Sequence, residues 1–217
     1  MKQLINSIIF IFCCCLLFPV APSLGNDISI EDALAALENK YDGKSFEAHF
    51  NQILTISAID ITETASGRVW FSHPGKMKWQ YLQPEHYEFI TNGKTLWLYQ
   101  PEENQVIVSN ADSFFQAGGG GTFLSDFSSV RKNYLATIAQ ETPDKIKIEL
   151  IPKIPIQKVV SIEIWVKKQS YEISQVITHD ELENTTQIYF KNLSFAQSHP
   201  AMFEFTPPDG TTILKED

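Results

Sequence analysis

From Lys76 the chain alternates without a break. Met77, Trp79 and Tyr81 fall on one side of an extended backbone, and Lys76, Lys78 and Gln80 on the other. Successive side chains of a strand point to opposite faces, so this segment has one wet face and one face of large rings. The same period recurs. Phe46, Ala48 and Phe50 alternate with Glu47, His49 and Asn51, and Tyr87, Phe89 and Thr91 share a face that ends at Asn92-Gly93. Asn-Gly between apolar runs is the strongest short hairpin signal. Leu96 to Tyr99 returns from that turn, and residues 101–104 turn the chain again into Val106-Ile107-Val108. Further strands are expected over residues 56–64, 67–73, 134–139, 145–151, 159–167, 172–179 and 185–192. Phe203-Glu204-Phe205 reads as a last strand, stopped by Pro207-Pro208. About ten or eleven strands predict a mainly β (α+β) fold, a large antiparallel sheet that is curved or barrel-like.

A sheet that does not close needs helices over its apolar face. Residues 26–43 supply one. Ser29 can cap it, with Asp32 three residues on, and Ile30, Ala33, Leu34, Leu37 and Tyr41 recur on one side. Gly43 follows where a helix end favours positive φ. Residues 111–133 break the strand pattern. Four glycines, 118–121, precede a short apolar helical piece carrying Phe123, Leu124 and Phe127, so this segment reads as hinged. Two or three short helices are little cover for so wide a sheet. The aromatic face is therefore either ordinary core or an incompletely filled apolar cavity beneath a movable lid, and the pattern leaves both open.

The first 25 residues stand outside that domain. Lys2 opens them, residues 4–18 are mostly apolar, and Ser23 and Gly25 are small at the spacing a signal peptidase accepts. Residues 1–25 are expected to be a cleaved secretory signal, and residues 26–217 a single domain. Cys13, Cys14 and Cys15 are the three cysteines of the chain. All lie in the leader, so the mature chain has no disulfide, thiol nucleophile or thiolate metal site. The bulky Phe10-Ile11-Phe12 before them argues against a lipidated cysteine. The whole chain carries a formal charge of −9, and cleavage removes Lys2 and no acid. No basic stripe offers itself to nucleic acid, and an anionic membrane repels such a surface.

No constellation for catalysis emerges. His49, His73, His86, His179 and His199 are scattered, without an H-E-x-x-H or an i, i+4 pair, and no G-x-S-x-G occurs. The glycine run lacks the Lys-Ser or Lys-Thr of a phosphate loop. No catalytic residue, metal site or cofactor is expected. His73 ends a strand beside Pro74, on the side of Val69 and Phe71, where it can line the inner face.

With these residues in view, the chain resembles the periplasmic outer-membrane lipoprotein carriers of the LolA type. The likeness is carried by Phe46-x-Ala48-x-Phe50-x-Gln52, Gly67-Arg68-Val69-Trp70-Phe71 and Pro74-Gly75-Lys76-Met77-Lys78-Trp79 with Pro84. Thr91-Asn92-Gly93-Lys94-Thr95-Leu96-Trp97 with Tyr99, Leu150-Ile151-Pro152-Lys153 and Phe203-x-Phe205-x-Pro207-Pro208-x-Gly210 continue it in order. The resemblance implies an unclosed half-barrel of about 11 antiparallel strands under a lid of about three short helices. It also implies a periplasmic, monomeric, non-enzymatic carrier of acylated lipoproteins. Such a carrier receives them from an inner-membrane lipoprotein-releasing ABC transporter and hands them to an outer-membrane lipoprotein receptor.

Carried over, the acyl-chain cavity takes Phe50, Val69, Phe71, Met77, Trp79 and Tyr81, with Tyr87, Phe89, Leu96 and Leu98. The lid takes Leu34, Leu37, Phe123, Leu124 and Phe127. Where the family often has an arginine as a polar latch to the lid, this chain has His73, the candidate latch, with fewer donors and a charge that depends on pH. Arg68 points to the opposite face of a regular strand. The alternative reading is an interaction or sensor module on the same half-barrel, with a filled core and no lipid.

Overall fold

The computed structural model describes residues 28–111, 122–125, 127–156, 159–196 and 198–216. The expected leader and the glycines at 118–121 lie outside the described residues.

One helix, α1 (Ile30–Tyr41), precedes the sheet. The Ser29 side chain accepts from the Asp32 N–H at 3.1 Å, and Asp42 ends the helix with its N–H on the Glu38 carbonyl. Ala33, Leu34, Leu37 and Tyr41 form its buried stripe, as the helical spacing requires.

Six strands then run as a meander: β1 (Ser45–Ile56), β2 (Ile61–Ser72), β3 (Lys76–Gln83), β4 (Tyr87–Thr91), β5 (Thr95–Gln100) and β6 (Gln105–Asn110). A short helix, α2 (Ser128–Asn133), leads into a second meander of β7 (Tyr134–Glu141), β8 (Lys145–Pro152), β9 (Ser161–Lys167), β10 (Ile173–His179) and β11 (Thr185–Phe195). The two meanders join where β1 pairs antiparallel with β11. The last strand, β12 (Thr212–Lys215), adds to β6 in parallel. The product is one sheet of twelve strands, ordered β12-β6-β5-β4-β3-β2-β1-β11-β10-β9-β8-β7, open between β12 and β7.

Four expectations change. The sheet has twelve strands rather than about eleven, and the described residues hold two α-helices rather than about three. The extended run over 56–64 is interrupted, because Ser57–Ile59 forms one 3-10 turn and Asp60 takes φ +52 to close the β1–β2 hairpin. Phe203 and Phe205 are not in a strand. Pro200–Phe203 is a 3-10 turn with proline at its start, where a missing N–H loses nothing. Phe203 is buried, and Phe205 lies on Tyr99, ring centroids 4.9 Å apart, across the outer side of β5. The alternation of these two rings thus comes from a segment packed over the sheet rather than a ladder within it.

Gly67 shows how closely the sheet is built. The β2–β3 register shifts between Ser66 and Gly67. A Cβ on Gly67 would stand 1.9 Å from the Gln80 carbonyl oxygen and 2.9 Å from the Phe50 ring. Only glycine lets this bulge form beneath the Phe50 ring.

Candidate functional site: a helix-covered apolar face

The register sorts the inner face into cross-strand rows. One runs Phe190, Phe50, Gly67, Tyr81, Tyr87 across β11 and β1 to β4. The next runs Ala48, Val69, Trp79, Phe89, Leu98, and the third Phe46, Phe71, Met77, Thr91, Leu96. All ten cavity residues expected from the sequence therefore share one face. Eight of them, with Tyr87 and Phe89 only partly buried, belong to one packed cluster; Leu96 and Leu98 stand beyond it. Trp79 is the hub. Its ring lies 4.9 Å from Phe50, 5.9 Å from Phe71 and 6.3 Å from Phe190. The Tyr81 hydroxyl donates to Gln52 Oε1 at 2.8 Å, and its ring stacks on Tyr87 at 4.2 Å. Burial holds the Tyr81 phenol far above the usual tyrosine range.

Sequence reasoning took the aromatic half of this wall and missed the aliphatic half. Ile146, Ile148 and Leu150 on β8 face Ile162, Ile164 and Val166 on β9, with Val176 and Ile188 beyond, all in the same cluster. The signal was present in the alternation Ile146-Lys147-Ile148-Glu149-Leu150.

Leu34, Leu37, Phe123, Leu124 and Phe127 are all buried in that cluster. Tyr41 anchors the end of α1. Its ring stacks on Phe127 at 5.4 Å and meets Phe46 edge-on at 5.1 Å, and its hydroxyl accepts from the Ile173 N–H at 2.9 Å. Burial also pushes this phenol well above its ordinary value. Polar tethers complete the cover. Arg131 Nε of α2 donates to Glu38 Oε1 of α1 at 2.5 Å, and Arg131 Nη2 to the Glu31 carbonyl at 3.0 Å. Lys153 Nζ holds the Arg131 carbonyl at 2.8 Å. No sequence pattern pointed to that clamp. His73, the candidate latch, is buried to 4% exposure, with Nδ1 3.9 Å from Asp42 Oδ1 at the end of α1. Arg68 lies on the outer face, as the strand period predicts, stacked over Trp70 and 3.5 Å from Glu47.

Beyond the C-terminal segment, which covers Ile90 and Val106, the outer face carries charge pairs. Lys78 bridges Glu88 at 2.8 Å, and Lys147 bridges Glu163 at 3.3 Å. Among the described residues no cluster of three or more His, Cys, Asp or Glu is placed to hold a metal ion, and no helix is long and apolar enough to cross a membrane.

The site is thus one apolar face of an open, mainly antiparallel sheet, covered among the described residues by α1, α2 and the 3-10 turn that carries Phe123 and Leu124. The chain belongs to the outer membrane lipoprotein carrier protein LolA family, whose sequence profile matches residues 42–206. It is 28% identical over 209 residues to an outer-membrane lipoprotein carrier protein of Neisseria meningitidis serogroup B, covering 94% of this chain and 95% of that one. A protein of the same description from Nitrosomonas europaea is 26% identical over 179 residues, 79% of this chain and 83% of that one. Among solved structures, an uncharacterized conserved protein from Thermus thermophilus superposes with a TM-score of 0.57 at 13% identity, over 86% of this chain and 98% of that one. A LolA superfamily protein from Nitrosomonas europaea superposes at 0.50 and 11% identity, over 82% of this chain and 99% of that one. These two structures share the fold.

Proposed function

We propose that the mature chain, residues 26–217, is a periplasmic carrier that shelters the acyl chains of lipoproteins and performs no chemistry of its own. Residues 1–25 are the leader that directs it there. It accepts lipoproteins from an inner-membrane lipoprotein-releasing ABC transporter and yields them to an outer-membrane lipoprotein receptor. The observation that carries this reading is the inner face itself, aromatic on one half and aliphatic on the other, covered by helices instead of by closure of the sheet. Phe50, Val69, Phe71, Met77, Trp79, Tyr81, Tyr87, Phe89, Leu96 and Leu98 are the proposed acyl contacts.

The energetics fit a carrier. Each acyl CH₂ removed from water is worth ~0.8 kcal/mol, so a multiply acylated protein does not cross an aqueous gap bare. Burial of a Leu or Phe side chain is worth about 1.5–3 kcal/mol. Without a guest, Leu34, Leu37, Phe123, Leu124 and Phe127 cover the inner face. A guest's acyl chains are alternative cover, so lifting the lid exchanges one apolar contact for another and uptake stays reversible. Among the described residues the lid is tethered by Arg131 to Glu38 and to the Glu31 carbonyl, with His73 beside Asp42.

The test is release of a radiolabelled lipoprotein from inner-membrane vesicles by the purified mature chain. Soluble labelled complex is expected. A chain that releases none, and whose organic extract holds no lipid by mass spectrometry, would instead be an interaction module with a filled core.

A further inference from the structure

The inner face is closed by rings at one end and polar at the other. Tyr41, Phe46 and Phe71 pack together beside the end of α1. At the far end three hydrogen-bonding side chains meet. The Tyr81 hydroxyl donates to Gln52 Oε1 at 2.8 Å, and the hydroxyls of Tyr81 and Tyr87 share a hydrogen bond. Tyr81 is on β3 and Gln52 on β1, two strand spacings or about 10 Å apart across the sheet. Small residues on the strand between them make that reach possible. Gly67 stands opposite Tyr81 and Ala65 opposite Gln52, and the bulge of the β2–β3 pair falls between Ser66 and Gly67. A bulge re-aims the side chains beside it. A bulky side chain at 65 or 67 would stand between the phenol and the amide.

This group is not a sealed core network. Gln52 and Tyr87 are both half-buried. Gln52 gives its oxygen to Tyr81, and among the described residues its two Nε2 hydrogens meet no protein acceptor. Burial raises the Tyr87 phenol above its ordinary value, the bond to Tyr81 opposes the shift, and Glu85 and Glu63 add to it, so Tyr87 stays a neutral donor. Glu63 faces Leu54 one step further out along β1 and β2, and Glu85 precedes Tyr87 in the β3–β4 turn. No residue of 52–67, 79–93 or 185–190 is Lys or Arg.

We propose that Gln52, Tyr81 and Tyr87 form a carbonyl subsite at the head of the acyl wall, which takes the ester or amide carbonyl where a fatty chain joins its polar parent. Every acyl chain begins at such a carbonyl, an acceptor with two lone pairs. Donors are what the group has to spare, in the Gln52 amide and the Tyr87 hydroxyl. The Tyr81 ring lies 4.9 Å from Phe50 and 6.5 Å from Trp79, so a chain whose carbonyl is held here runs on along the rings. The subsite selects neutral carbonyls. A free fatty acid ends in a carboxylate, which meets Glu63 and Glu85 there and no cation to pair with. The protein thus reads the linkage as well as the chain, and favours esterified or amidated acyl groups over free fatty acids. The proposal deepens the carrier reading and rests on it.

The test measures binding of four pyrene-labelled lipids of equal chain length: a diacylglycerol, the dialkyl glycerol ether that lacks both carbonyls, a fatty acid and its methyl ester. Wild type is expected to bind the diester about tenfold more tightly than the diether, as an ordinary hydrogen bond allows. It is also expected to bind the methyl ester more tightly than the fatty acid at pH 8. Gln52→Met puts an apolar side chain of similar length in place of the amide, and the diester-to-diether ratio should fall to near one. Tyr87→Phe should lower the ratio part of the way. A general loosening of the fold weakens both glycerolipids together and leaves the ratio where it was. A wild-type ratio near one, a ratio unchanged in Gln52→Met, or a fatty acid bound as tightly as its methyl ester would each overturn the proposal and leave the carrier reading intact. Failure of wild type to bind either glycerolipid would instead bring down the carrier reading, and the subsite with it.

Discussion

Removing the Arg131 guanidinium isolates the tether between the two covering helices. Arg131→Met keeps most of the stem that packs over α1 while deleting the ion pair to Glu38 and the bond to the Glu31 carbonyl. The two side chains are 39% and 26% exposed, so solvent screens the pair and the lower part of the usual range applies, about 0.5 kcal/mol. The bond to the Glu31 carbonyl is charge-assisted and adds roughly 1 kcal/mol. Together they hold the cover by about 1.5 kcal/mol, close to a tenfold shift in a local opening equilibrium. Hydrogen exchange of the α1 amides reads that equilibrium directly. The expected result is α1 exchange accelerated about tenfold while the amides of β8 and β9, which open only with the whole fold, change little. Glu38→Gln should give a smaller acceleration, and the double variant should fall short of the sum because the two residues share one interaction. An α1 that exchanges as in wild type, or that accelerates no more than β8, would refute the assignment of Arg131 as a tether.

Other consequences follow from single positions. Gly67→Ala drives a methyl group into the Gln80 carbonyl and the Phe50 ring, so urea unfolding should show a loss of about 3 kcal/mol or an insoluble chain. Trp79 is 3% exposed, so Trp79→Glu places a charge among rings; it should abolish lipoprotein uptake and lower the urea midpoint, whereas Trp79→Leu should keep the fold and weaken uptake. Tyr41 and Tyr81 are held protonated by burial. Their phenols ionise in the unfolded chain near pH 10 but resist in the folded one, so stability should be level below that pH and fall as pH rises above it. Urea midpoints between pH 8 and 11 measure the slope, and Tyr41→Phe should make it shallower.

Much of this architecture is legible in the sequence because a strand's period is short and local. The rows through Met77, Trp79 and Tyr81, and the stripe Ala33, Leu34, Leu37, Tyr41, follow from alternation and helical spacing alone. His73 on the inner side and Arg68 on the outer follow from the same period. What was not legible depends on partners distant in the chain. The clamp joins Arg131 to a residue 93 positions away, and the Tyr41 hydroxyl meets a backbone amide 132 positions away, with nothing local to signal either. The C-terminal segment misled for a physical reason. Phe203 and Phe205 alternate as strand residues do, yet Pro200, Pro207 and Pro208 bound them, and a segment poor in amide donors packs over a sheet more readily than it joins one. The strand it leads to, β12, is four exposed residues with no alternation to read.

The central claim is that acyl chains lie against the inner face. Photo-crosslinking tests it most directly, with a benzophenone side chain placed at Phe89 on the inner face and, separately, at Glu149 on the outer one, in the presence of a lipoprotein tritiated in its acyl groups. Label transferred at position 89 and not at 149 is the predicted result. Label at 149 alone, or equally at both, would contradict it.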